Sequence, residues 1–94
     1  DVADIVYVES IKHRLDVHTI SGTYSITSSL KAMEAQLDGP DFFRSNSCYL
    51  VNLAHVRGVA DQECLMTGGD SLRISRPRKK AFMTALASFA GGIH

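Results

Sequence analysis

The period of two that belongs to half-buried strands shows early in the chain, from Arg14 to Ile20. Ile5 to Ser10 is β-branched and aromatic, a good strand composition. Arg14 to Ile20 sets Leu15, Val17 and Thr19 against Arg14, Asp16 and His18, with Ile11-Lys12-His13 as a short connection, so the two segments predict a hairpin. Ser21-Gly22 signals a turn and Thr23 to Ile26 a third strand. The period then changes. Leu30, Met33 and Leu37 are spaced for one face of a short helix, with Ser28 or Ser29 as N-cap and Gly39-Pro40 as its stop.

The stretch from Asp41 to Asn52 organises the rest. Phe42-Phe43 and Tyr49-Leu50-Val51 predict two buried anchors, and Arg44, Ser45, Asn46 and Ser47 between them predict a polar loop presented to a partner. Leu53 to Ala60 reads as extended or irregular. Cys64 to Thr67 and Ser71 to Ser75 flank Gly68-Gly69-Asp70, a hairpin signal in which Leu72 and Ile74 face inward and Arg73 outward. Ser75-Arg76-Pro77 starts a last helix with Ser75 as N-cap, whose buried face is Phe82, Ala85, Leu86 and Phe89 and whose end is Gly91-Gly92. Short strands with two short helices and no βαβ repeat predict one mainly β domain over residues 1–94, with helices at its margin.

A chain of 94 residues has room for one modest core and no more. No apolar run is long enough for a membrane span, and Asp1 and Asp4 stand where a signal peptide would carry cations. Cys48 and Cys64 lack metal-site spacing and lie in apolar runs, which predicts two buried free thiols and a reducing, cytoplasmic location. A disulfide between them is the less favoured pairing. Net charge is formally zero, but its distribution is uneven. From Ser71 onward there are Arg73, Arg76, Arg78, Lys79 and Lys80 and no acid, whereas Asp1, Asp4, Glu34, Asp38 and Asp41 lie earlier.

Three polar segments are therefore candidates for one surface: Lys12-His13, Arg44 to Ser47, and Arg76 to Lys80. Arranged along one edge, they supply both kinds of contact a DNA reader needs. Lys12, Arg44, Ser47, Arg78, Lys79 and Lys80 suit phosphates, and His13, Asn46 and Arg76 suit base edges. A guanidinium fork fits the two major-groove acceptors of guanine, a contact worth about 1–3 kcal/mol of discrimination. The plainer alternatives are a solvated basic face, an Asx turn closed by Asn46, and a histidine that merely flanks a strand. Catalysis by Cys48 with His55, or by Ser45 or Ser47, lacks a glycine-rich elbow and an acidic orienter. His13, His18, His55 and His94 have no partner at ligand spacing, and Gly68-Gly69 lacks the lysine of a phosphate loop, so neither metal nor cofactor is expected.

Taken in order, Ile5-Val-Tyr-Val-Glu-Ser, Lys12-His13-Arg14, Phe42-Phe43-Arg44, Ser47 to Asn52, and Ile74-Ser75-Arg76 with Lys79-Lys80 resemble the LytTR DNA-binding domain from about Asp4 to about Phe89. The most specific part is Phe-Phe-Arg-Ser-Asn-Ser-Cys-Tyr-Leu-Val-Asn. The resemblance implies an elongated, mostly β fold that inserts loops into successive major grooves and bends the duplex. It also implies that His13, Asn46 and Arg76 are base-contacting and that Arg44, Lys79 and Lys80 lie close to the backbone. The expected setting is the output domain of a bacterial response regulator, with an upstream receiver, a sensor histidine kinase and a homodimer on repeated sites. Relative to that family, a strand or two before Ile5 and the receiver fall outside this sequence. A protein-interaction module offering the same loops to an acidic partner is the alternative. Single-stranded RNA is weaker, because Phe42, Phe43, Phe82 and Phe89 read as core rather than as a stacking platform.

Overall fold

The computed structural model describes residues 2–37 and 41–91. The helix stop expected at Gly39-Pro40, together with Gly92 and His94, lies outside them.

After a 3-10 turn at Val2–Asp4 come strands β1 (Ile5–Ile11), β2 (Arg14–Thr19) and β3 (Gly22–Ile26), then helix α1 (Leu30–Gln36). Strands β4 (Phe42–Asn46) and β5 (Tyr49–Asn52) follow, then a 3-10 turn at Leu53–His55. The chain continues through β6 (Val56–Ala60), β7 (Glu63–Met66) and β8 (Ser71–Arg73), and closes with α2 (Arg76–Gly91). Every strand pairing is antiparallel, in a five-stranded sheet of order β3-β2-β1-β5-β4 and a three-stranded sheet of order β6-β7-β8. The molecule measures 34 × 27 × 25 Å, so its long axis only modestly exceeds the others.

Strand periodicity decides what each face of the larger sheet buries. Val8, Leu15, Val17 and Leu50 face α1 and pack with its Leu30 and Met33. Tyr7 and Val51 face the other way, toward Cys64, Met66 and Leu72 of the smaller sheet, Ile74 just after it, and Phe82 of α2. The adjacent phenylalanines serve both cores: Phe42 packs on the α1 side, and Phe43 meets Phe82 edge-on at 5.9 Å. α1 begins as expected, with the Ser29 hydroxyl accepting from the Ala32 amide.

Two polar groups fasten the fold internally. Asn52 is 3% exposed, donates to the Ile5 carbonyl at 2.8 Å and accepts from the Ala54 amide at 3.0 Å. It thereby caps the 3-10 turn that leads out of the larger sheet. The Tyr7 hydroxyl donates to Asp70 at 2.9 Å and so ties the β7–β8 hairpin to β1. Burial first, and the Asp70 carboxylate after it, push this phenol well above its ordinary range. Gly68 and Gly69, at φ +98° and +102°, make that hairpin's turn, as their positive φ requires.

Three expectations need correction. Arg44 to Ser47 is not a loop: β4 runs through Asn46, and only Ser47 and Cys48 form the turn into β5. The pairing slips between Arg44 and Asn46, so Ser45 is an extra residue on β4 and its side chain turns into the core, fully buried. Of the two thiols only Cys64 is buried, whereas Cys48 is exposed on the turn. The second helix spans 16 residues and is not short.

Candidate nucleic-acid interface

The hairpin β1–β2 closes on Ile11 and Arg14, which leaves Lys12 and His13 as a two-residue turn, both exposed. Lys12 sits at φ +54°, in the left-handed region that L residues with long side chains seldom occupy. Because β1 pairs antiparallel with β5, the end of β1 meets the start of β5: the Ser10 amide donates to the Cys48 carbonyl at 2.8 Å. The first two turns therefore lie side by side.

The third segment is attached to the central one through backbone and buried side chain. The Ser75 amide donates to the Ser45 carbonyl at 2.9 Å. The Arg73 carbonyl accepts from the Ser45 hydroxyl at 3.0 Å and from Asn46 Nδ2 at 3.1 Å. Ser75 immediately precedes α2, and its carbonyl accepts from the Arg78 amide at 3.0 Å, so Arg76 opens the helix beside the central turn. His13, Asn46 and Arg76 thus occupy three neighbouring segments at one end of the molecule.

A fourth segment, which the pattern of residues does not single out, joins them. The Ile74 amide donates to the Gln62 carbonyl at 2.7 Å, and the Lys79 ammonium donates to the Asp61 carbonyl. This brings the β6–β7 turn to the same end, with Asp61 at φ +54°. Its one local signal is the polar pair Asp61-Gln62 between two apolar runs, and aspartate tolerates that backbone region.

Side-chain commitments differ sharply among the expected contacts. Asn46 Oδ1 accepts from the Cys48 amide at 2.7 Å and the Tyr49 amide at 3.1 Å, which uses both lone pairs. With Nδ2 on Arg73, the side chain closes an Asx turn, the alternative that competes with base reading. Arg44 is half-buried and faces Glu34 of α1 at 3.7 Å, with its Nε atom buried and without a hydrogen bond. Lys79 is held at Asp61, as above. Lys12, His13, Ser47, Arg76 and Lys80 are exposed, and Arg78 is partly so.

Beside this end, β1 and β2 carry a polar cluster on the open part of the sheet. Glu9 lies opposite Asp16, and His18 is paired with Tyr7 further along the same ladder. His18 Nε2 is 3.3 Å from Glu9, its Nδ1 is 3.1 Å from Thr23 Oγ1, and its ring stacks on Tyr7 at 4.1 Å. Asp16 accepts from Ser25 at 2.7 Å and from Arg14 at 3.2 Å, and these bonds, Ser25 first, hold its carboxyl below the usual range. The ligand-type atoms of Glu9, Asp16 and His18 lie within 4.8 Å of one another, so His18 does have carboxylate neighbours, although each residue already has a protein partner. The two-residue turn at Lys12-His13 fixes that register.

The pairing of Cys48 with His55 does not form. β5 runs between them, and His55 is held at the far end by Thr67 at 3.1 Å and by the Ala3 carbonyl at 2.9 Å. Ser45 is buried with its hydroxyl donated to Arg73. No helix among the described residues is long and apolar enough to cross a membrane.

Two close turns thus lie beside a basic helix start on a mostly β scaffold. The chain belongs to the LytTr DNA-binding domain family, whose model matches residues 1–87. It is similar to the CO-responsive transcriptional regulator RcoM of Rhodospirillum rubrum, 36% identical over 63 residues. That alignment takes in 67% of this chain but only 27% of the relative, so the chain spans about a quarter of that protein. In architecture it is similar to the LytTr DNA-binding domain of a methyl-accepting/DNA response regulator from Bacillus cereus. The TM-score is 0.80 at 20% identity, covering 89% of this chain and 82% of that one. At that identity the match speaks for the fold alone.

Proposed function

We propose that this domain binds duplex DNA sequence-specifically as the output part of a transcriptional regulator, entering successive major grooves with its turns and bending the duplex. The observation that carries this reading is the convergence of the Lys12-His13 turn, the Ser47-Cys48 turn and the Arg76 helix start at one end of a family member's fold. His13 and Arg76 read base edges, because both are exposed and neither is tied to another side chain among the described residues. Lys12, Ser47, Arg78 and Lys80 contact phosphates.

Asn46 takes a different part from the bidentate one its residue type suggests. An adenine contact of that kind needs a free Oδ1, and here both lone pairs hold the turn. Asn46 therefore contributes one remaining Nδ2 hydrogen at most and mainly positions Ser47. Arg44 and Lys79 likewise support the surface from within, through Glu34 and the Asp61 carbonyl. An upstream receiver, a sensor kinase and homodimers on repeated sites complete the proposal at the level of the whole protein.

Selection of bound duplexes from a random pool tests the reading. The expected product is a motif of short conserved blocks separated by tolerant steps, where flexible pyrimidine–purine steps ease bending. Recovery of no enriched motif would count against sequence-specific binding, and unaltered gel mobility across circularly permuted probes would count against bending.

A further inference from the structure

The positive charges at the reading end fall into two groups once their partners are assigned. Arg14 pairs with Asp16 at 3.2 Å, Arg44 with Glu34 at 3.7 Å, and Lys79 donates to the Asp61 carbonyl. Each of these already directs its charge at a protein oxygen, two of them carboxylates. Arg73 is in the opposite situation. Its side chain is exposed and makes no hydrogen bond or ion pair within the described residues, although Glu63 stands directly opposite on β7.

Its backbone, by contrast, is among the most firmly held at this end. The Arg73 carbonyl takes the hydroxyl of fully buried Ser45 and the Nδ2 of Asn46, so the residue is pinned against the central turn. Leu72 and Ile74 on either side are buried, at 2% and 0% exposure, and strand alternation therefore turns Arg73 outward. A rigid stem with an unpartnered guanidinium, placed between the central turn and the helix start, is suited to meeting a phosphate with little ordering cost.

We propose that Arg73 is a further phosphate-contacting residue, bridging electrostatically the central turn and the start of α2 on the DNA backbone. The proposal rests on the duplex-binding reading above. Its readout is the slope of log affinity against log salt, which on duplex DNA shallows by about 0.9 for each phosphate the protein no longer neutralises. Arg73→Gln keeps the carbonyl that Ser45 and Asn46 need and removes only the charge, and a thermal melt matching the wild type confirms this.

The experiment is a fluorescence-anisotropy salt titration of wild type, Arg73→Gln and Arg44→Gln, on a selected and on a scrambled duplex. Arg73→Gln is expected to shallow the slope by about one phosphate on both duplexes alike. Arg44→Gln is expected to leave the slope unchanged. A wild-type slope for Arg73→Gln overturns the assignment while leaving the domain a DNA binder. An effect confined to the selected duplex overturns it too, because that would make Arg73 a base reader. A wild type without salt-dependent duplex binding overturns the underlying reading, and this proposal with it.

Discussion

The amide of Ser75 donates to the carbonyl of Ser45 across 2.9 Å, and with the two side-chain bonds to the Arg73 carbonyl it fixes the start of the last helix to the central hairpin. Ser45 is the extra residue of a bulge, and the slip it introduces turns its own side chain inward. The bulge thus does two things at once. It interrupts the regular β4–β5 ladder, and it offers a docking point to a segment that comes much later in the chain. Bulges placed next to binding sites commonly re-aim a chain in this way.

Asn46→Ala is expected to act through the fold rather than through base recognition. It removes the acceptor for two turn amides and one donor to Arg73, at a cost of about 1–3 kcal/mol. Thermal melts should show the loss, and affinity should fall by similar factors on selected and scrambled duplexes. A drop restricted to the selected duplex would instead make Asn46 a base reader.

Lys12→Gly should separate stability from binding. Lysine carries a backbone penalty at φ +54° that glycine does not, so the variant is expected to be as stable as the wild type or more so, by up to about 1 kcal/mol. The same change removes a cation from the candidate interface and should shallow the salt slope. Chemical denaturation beside a salt titration checks both halves, and a clear loss of stability would mean that the side chain itself supports the turn.

The two thiols should react differently in the native state. Cys48 is exposed and should label quickly with a thiol reagent. Cys64 is fully buried, and burial raises its thiol from 9.0 to about 11, so it should label only on unfolding. Because the folded form favours the protonated thiol, its contribution to stability is whole below pH 9 and is lost as pH rises through about 11. Equal labelling rates in native buffer would contradict this placement.

Much of this architecture is legible in the residues. Alternation around Leu15 and Val17, the Gly68-Gly69 turn and the spacing of Phe82, Ala85, Leu86 and Phe89 all report local geometry that burial enforces. The polar run from Arg44 to Ser47 misleads for a physical reason. Its polarity suggests solvent, yet Ser45 is satisfied by a backbone carbonyl contributed from β8, and Arg44 faces an acid on α1. Such long-range partners leave no periodic trace. Cys48 has apolar neighbours that suggest burial, whereas its position on a turn decides its exposure. Three segments of the candidate surface can be read from the residues, but the fourth, Asp61-Gln62, depends on how β6, β7 and β8 stack, which no local pattern reports.

The most direct measurement is the affinity of Arg76→Ala for a selected duplex and for a scrambled one at the same salt concentration. If the helix start delivers a guanidinium to a base edge, the ratio of the two affinities should fall by roughly tenfold or more, while scrambled-duplex binding drops far less. Equal losses on both duplexes would contradict the placing of Arg76 against a base, and with it the account of how this end of the molecule reads sequence.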